Sequence, residues 1–121
     1  MPYWRLFYHI TWGTKNRLDL IQPSWEIDLY GYLWGKAAAI ECTPHAINGL
    51  NDHIHIVISI PPKIAVAKVV ARLKGASSHH VTHTILNDEP FAWQSEYGVV
   101  TFSERHLPDV SLCSKSEKTP C

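Results

Sequence analysis

Apolar residues change their spacing along the chain, and each change marks an element. From Arg5 to Lys15 aromatic and β-branched residues crowd together, the composition of a strand. Gln22-Pro23-Ser24 breaks that run. Leu29, Tyr30, Leu33, Ala37 and Ile40 then recur at helical spacing, which predicts a helix capped by Ser24 and running to about Glu41 through Gly31 and Gly35. Pro44 to Leu50 and His53 to Ile60 read as two strands joined by a tight Asn51-Asp52 turn, a hairpin ended by Pro61-Pro62. A second helix is expected from about Lys63, with Val66, Val69, Val70 and Leu73 on its apolar stripe and Lys68, Arg72 and Lys74 at polar positions. Gly75 and Ser77-Ser78-His79-His80 are expected to interrupt it before Val81 to Ile85. A loop over Asn87 to Pro90, then Phe91-Ala92-Trp93-Gln94, leads to a last strand from Tyr97 to Phe102.

The resulting order, β-α-β-β-α-β, is that of the α+β, ferredoxin-like (split β-α-β) fold: a four-stranded antiparallel sheet with both helices on one face. A chain of 121 residues, 45% hydrophobic, supports one core and is short for two. Residues 1–110 are read as that core and 111–121 as a polar tail. Cys42, Cys113 and Cys121 share no ligand-like spacing and follow no signal peptide, so a disulfide framework is not expected and the cytoplasm is the default address. No apolar run approaches the roughly 20 residues that cross a bilayer, so no membrane association is expected. Lys plus Arg and Asp plus Glu number 11 each, so any basic surface for nucleic acid must be local.

The chemistry-bearing segment is Asn51-Asp52-His53-Ile54-His55-Ile56-Val57. On a strand, Ile54, Ile56 and Ile58 point one way and His53, His55, Val57 and Ser59 the other. If the isoleucines face the helices, both imidazoles lie together on the open face, where they can share a divalent cation. Two histidines are an incomplete set, and solvated or hydrogen-bonded surface residues are the competing reading. A catalytic ion needs a further ligand and open positions.

This segment resembles the histidine-hydrophobe-histidine (HUH) signature of the tyrosine transposases of small insertion sequences and of the REP-associated tyrosine transposases. Phe7-Tyr8-His9-Ile10-Thr11-Trp12-Gly13-Thr14-Lys15-Asn16-Arg17 resembles the family's first strand. Ala71-Arg72-Leu73-Lys74-Gly75 with Ser77-Ser78 resembles its second helix, and Phe91-Ala92-Trp93-Gln94 with Tyr97-Gly98 the approach to its last strand. The resemblance implies DNA transposition: metal-dependent cleavage and rejoining of single-stranded DNA beside a hairpin, through a phosphotyrosine. It implies His53 and His55 as ligands of Mg²⁺ or Mn²⁺, and a homodimer that joins sheets. Arg72 and Lys74 are candidate phosphate contacts, against an equal case that they are solvated helix residues.

In the family the nucleophile follows the last strand on a Tyr-hydrophobe-x-x-Gln helix. After Asp109-Val110 this chain reads Ser-Leu-Cys-Ser-Lys-Ser-Glu-Lys-Thr-Pro-Cys, with neither tyrosine nor glutamine. Reading from the second base of each codon from Ser111 onward permits x-Tyr-Val-Gln-Ser-Gln-Lys-Lys-His-His, so 111–121 is expected to be a frameshifted tail and strand cleavage to be defective. Tyr97 is the substitute nucleophile to consider, with structural packing as its competing role. The tryptophans are read as packing residues. The alternative functions are a non-catalytic single-stranded or hairpin DNA-binding module, and an unrelated ferredoxin-like domain with an accidental His-x-His.

Overall fold

The structure, a computed structural model, describes residues 6–102. Arg5, Trp4, residues 103–110 of the expected core and the 111–121 tail lie outside the described residues. Within them the order is β1 (Phe7–Gly13), α1 (Glu26–Ala39), β2 (Thr43–Leu50), β3 (His53–Ser59), α2 (Val66–His80) and β4 (Gly98–Phe102). The four strands form one antiparallel sheet in the order β2-β3-β1-β4. This is the expected ferredoxin-like plan.

Alternation puts Tyr8, Ile10 and Trp12 of β1 and Ile54, Ile56 and Ile58 of β3 on the side that meets the helices. Ile10, Ile54 and Ile58 are fully buried there with Leu29 and Leu33 of α1 and Val69 and Leu73 of α2. One apolar layer, removed from water by two helices, therefore fixes the strand register, because a one-residue slip would take the isoleucines out from under the helices and turn the histidines into that layer.

Three local expectations are corrected. Ser24 does not cap α1: Trp25 occupies that position without a side-chain capping bond. The aromatic ring decides the entry, since Trp25 is buried edge-on against Phe91, with ring centres 6.0 Å apart. The second helix starts at Val66 rather than Lys63, because the Ile64 N–H closes a turn on the Pro61 carbonyl at 3.1 Å. Nor is α2 interrupted at Gly75 or Ser77. Ser77 Oγ donates within the helix to the Leu73 carbonyl at 2.6 Å and accepts the indole N–H of Trp93 at 2.9 Å, so its polar group is satisfied in full burial. The irregularity comes after His80, where Val81–Ile85 forms one wider π turn.

Trp12, Trp25 and Trp93 are core residues, as read from the sequence, whereas Trp34 is exposed. Among the described residues no helix is long and apolar enough to cross a membrane.

Candidate functional site

His53 and His55 sit on β3 between β1 and β2, facing away from the helices. Gly13 and Leu50 are the cross-strand partners of His53, and Thr11 and Asn48 those of His55. The two imidazole centres are 5.0 Å apart. The isoleucines between and beyond them are pinned in the core, so the pair is held by burial of its neighbours.

The turn that delivers His53 is held from outside the hairpin. Neither Asn51 nor Asp52 adopts the positive φ usual in two-residue hairpins. Instead the Asn51 carbonyl accepts from Ile21 N–H and the Asp52 carbonyl from Thr14 N–H, both at 2.9 Å. Asp52 Oδ1 lies 2.7 Å from His53 Nδ1 and Asp52 Oδ2 lies 3.3 Å from Arg17 Nη2. Arg17 Nη2 also stands 3.5 Å from His53 Nδ1. That nitrogen cannot donate to Asp52 and accept from Arg17 at once, and the shorter contact to a carboxylate is the stronger. In a neutral His53 ring the contact to the carboxylate favours the proton on Nδ1. The hydrogen bond from His53, with the Arg17 charge behind it, holds the Asp52 carboxyl below the usual carboxylate range against the opposing effect of burial.

A third histidine belongs to the same face. His9, on β1 opposite Val57, places Nε2 at 2.9 Å from His55 Nδ1, and Thr11 Oγ1 is 3.2 Å from that nitrogen. For His55 to ligate a metal through Nε2, its Nδ1 must carry the proton and donate to one of these two.

Arg17 reaches the site at a conformational cost. Asn16 and Arg17 hold φ at 57° and 54°, the left-handed region that costs a non-glycine residue on the order of 1 kcal/mol or more. The turn folds Arg17 back over β1 where Gly13 has no side chain: a Cβ there would stand 2.7 Å from Arg17 Cδ and 2.6 Å from Gln94 Oε1.

The donor set fits a divalent transition ion in part. Two imidazoles on one face, each with Nδ1 hydrogen-bonded, would offer a cation two Nε2 nitrogens. Among the described residues no three His, Cys, Asp or Glu side chains converge into a complete metal site. A complete metal centre here would need a further ligand.

Arg72 and Lys74 are not brought to this face. Both are on α2, across the sheet from the imidazoles. Arg72 is exposed and lines, with Lys63 and Lys68, a groove of about 480 Å³ between the end of α1 and the start of α2. Glu41 is the acidic member of that lining and pairs with Lys63 at 2.6 Å. Lys74 is half-buried: its ammonium donates to the Gln94 carbonyl at 2.5 Å and reaches the Glu96 carbonyl at 3.4 Å, and burial lowers its pKa. Tyr97 is exposed just before β4, where Gly98 pairs with Thr11. Carrying the β4 alternation back one residue gives Tyr97 the helix-facing parity, opposite to the imidazoles.

Sequence reasoning missed His9, Thr11, Asp52 and Arg17 as members of the site. Alternation along β1 groups His9 with Thr11 and Gly13. Which of its faces matches that of His53 depends on pairing register, which is a property of the sheet.

Comparison with known proteins concerns the chain as a whole. The model of a family described as IS200-like transposase matches residues 2–111. The chain is 27% identical over 119 residues to the ISDra2 transposase TnpA of Deinococcus radiodurans, covering 94% of this chain and 85% of that protein. Its fold is similar to the crystal structure of a Deinococcus radiodurans R1 protein assigned as a transposase, with a TM-score of 0.76 and 22% identity over 92% of this chain and 89% of that one. It is also similar in fold to a REP-associated tyrosine transposase bound to a REP hairpin, with a TM-score of 0.65 and 14% identity over 93% of this chain and 68% of the other.

Proposed function

This chain belongs to the IS200-like transposase family, whose activity class is DNA transposition, and we propose that its own part in that chemistry is metal-dependent handling of single-stranded DNA bearing a hairpin. The observation that carries the reading is the His53–His55 pair on the sheet face away from the helices, with Nδ1 of each ring hydrogen-bonded by a neighbouring side chain. His53 and His55 hold Mg²⁺ or Mn²⁺ through Nε2. Bound there, such an ion would polarise a phosphate oxygen of the DNA and offset its negative charge.

The chain's own groups orient and position. Asp52 and His9 set the imidazoles, while the exposed guanidinium of Arg17 adds positive charge at the mouth of the site. On the opposite layer, Arg72 with Lys63 and Lys68 forms the local basic surface that a balanced composition requires, and it takes phosphates of the hairpin stem. Lys74 enters this reading by fixing the segment that leads into β4. The relative captured with a REP hairpin supports a hairpin as the ligand class. Among the described residues β4 is an edge strand, and its exposed Val99 and Val100 support a second copy adding to the sheet.

Residues 98–121 hold no tyrosine, and the alternation of β4 carried back one residue turns Tyr97 away from the imidazoles. The chain is accordingly proposed to bind hairpin DNA and metal without cutting, the expected nucleophile being displaced by a shifted reading frame from about Ser111. Incubation with end-labelled hairpin single-stranded DNA and Mn²⁺, followed by native and denaturing gels, tests this. Binding that prefers the hairpin over duplex or unstructured strands, with no cleavage and no covalent adduct, is the expected result. An adduct lost in His53→Ala overturns the defect and makes Tyr97 the next residue to change. No hairpin preference overturns the DNA reading.

A further inference from the structure

We propose that Asp52 and His9 are positioning residues for the two imidazoles: each hydrogen-bonds one Nδ1, fixes the Nδ1–H tautomer and so leaves Nε2 of His53 and His55 as the ligating nitrogens. The inference rests on the reading of His53 and His55 as metal ligands and extends it to the side chains behind them.

A neutral imidazole has one N–H and one lone pair, and which nitrogen holds the proton is set by the partner of the other. Asp52 is an acceptor only, so its 2.7 Å contact forces a proton onto His53 Nδ1. His9 Nε2, 2.9 Å from His55 Nδ1, acts the same way when its own proton is on Nδ1, and Thr11 Oγ1 at 3.2 Å is a second acceptor for the same N–H. The two devices are built differently. The one at His55 is part of the sheet, made of β1 residues whose place is set by register. The one at His53 is assembled from a turn, and three features converge on it: the Thr14 N–H that fastens the Asp52 carbonyl, the left-handed Asn16–Arg17 pair, and the bare Gly13 surface over which Arg17 passes to Asp52 Oδ2. Strain of this kind persists where surrounding structure enforces it. Here it secures the carboxylate so that the carboxylate can secure the ring.

The test is made first on the metal-free protein, by reading imidazole ¹⁵N shifts at mildly alkaline pH for the wild type, Asp52→Ala, Asp52→Asn and His9→Ala. Mn²⁺ affinity is then measured on the same proteins by titration of the free-ion EPR signal. The expected result is Nδ1–H at both His53 and His55 in the wild type. Asp52→Ala should release His53 alone to a mixture of tautomers, His9→Ala should perturb His55 alone, and each should weaken Mn²⁺ binding about 10–100-fold. Asp52→Asn keeps an acceptor oxygen and should keep the tautomer and most of the affinity. An unchanged His53 tautomer in Asp52→Ala, or an Asp52→Asn loss as large as that of alanine, overturns the proposal while leaving the ligands in place. Unaltered Mn²⁺ affinity in His53→Ala overturns the metal reading itself.

Discussion

Gly49 lies on β2 opposite Ile54, directly beside the residue that presents the site. A Cβ at Gly49 would stand 2.3 Å from the His53 carbonyl oxygen and 2.8 Å from Ile54 Cα. Both obstacles are backbone, and neither can swing aside. β3 cannot retreat, because it is paired with β1 on its other edge and Ile54 is fully buried beneath it. Relief has to come from β2, whose end must move out by about 1 Å to bring the oxygen to an ordinary contact, a sizeable part of the roughly 4.8 Å between strands. The expected cost is about 1–3 kcal/mol for overpacking and about 1 kcal/mol for a weakened ladder bond, offset by up to about 1 kcal/mol because alanine loses less backbone entropy than glycine. Gly49→Ala should thus destabilise the fold by about 2 kcal/mol in urea unfolding followed by tryptophan fluorescence. Gly13→Ala is the contrast: its added Cβ meets the ends of the flexible Gln94 and Arg17 side chains, so it should cost less than about 1 kcal/mol. A Gly49→Ala protein within about 0.5 kcal/mol of wild type, or a Gly13→Ala protein hit as hard, would refute the reasoning.

Ser77→Ala leaves the buried indole N–H of Trp93 without its acceptor, and should cost about 1–3 kcal/mol despite alanine's better helix propensity, read by the same urea titration. His45 is kept from protonating by burial, so its folded pKa lies below its unfolded one. The unfolded chain then binds the extra proton as pH falls through about 6.5, and stability drops from there until the folded value is passed. His45→Phe should flatten that limb of a stability-pH profile. Arg72→Ala should weaken hairpin binding about equally across sequences and lower the slope of log affinity against log salt by about 1, measured by fluorescence anisotropy at several salt concentrations.

The parts of this molecule that were legible in the sequence are those dictated by short-range periodicity. Ile54, Ile56 and Ile58 announce a buried face by period two, Leu29, Leu33 and Ala37 by helical period, and together they give the sheet and the layer that covers it. His53 and His55 were placed correctly because alternation leaves them no other face. Two of the three misreadings are places where a distant side chain overrules local propensity. Trp25 docking on Phe91 displaces a cap from Ser24, and Trp93 donating to Ser77 keeps α2 continuous through residues that otherwise favour turns.

What the sequence could not disclose is the company of the two histidines. His9 is separated from His55 by 46 positions and Arg17 from Asp52 by 35, and only the pairing of β1 with β3 brings them together. Asp52 was in view throughout, but as a turn residue. Its backbone does serve the turn, with the carbonyl held by Thr14, while its carboxylate is directed at the neighbouring imidazole and the guanidinium across the strand. The same residue thus completes the turn between β2 and β3 and hydrogen-bonds the first imidazole of the pair. The economy has a physical origin: a hairpin turn is where a side chain can lie beside the first residue of the next strand without leaving the sheet face away from the helices, so the acceptor for His53 is supplied by its own chain neighbour. For His55, one step further into the strand, the sequence neighbours Ile54 and Ile56 point into the core, and its partner has to come across the ladder from β1.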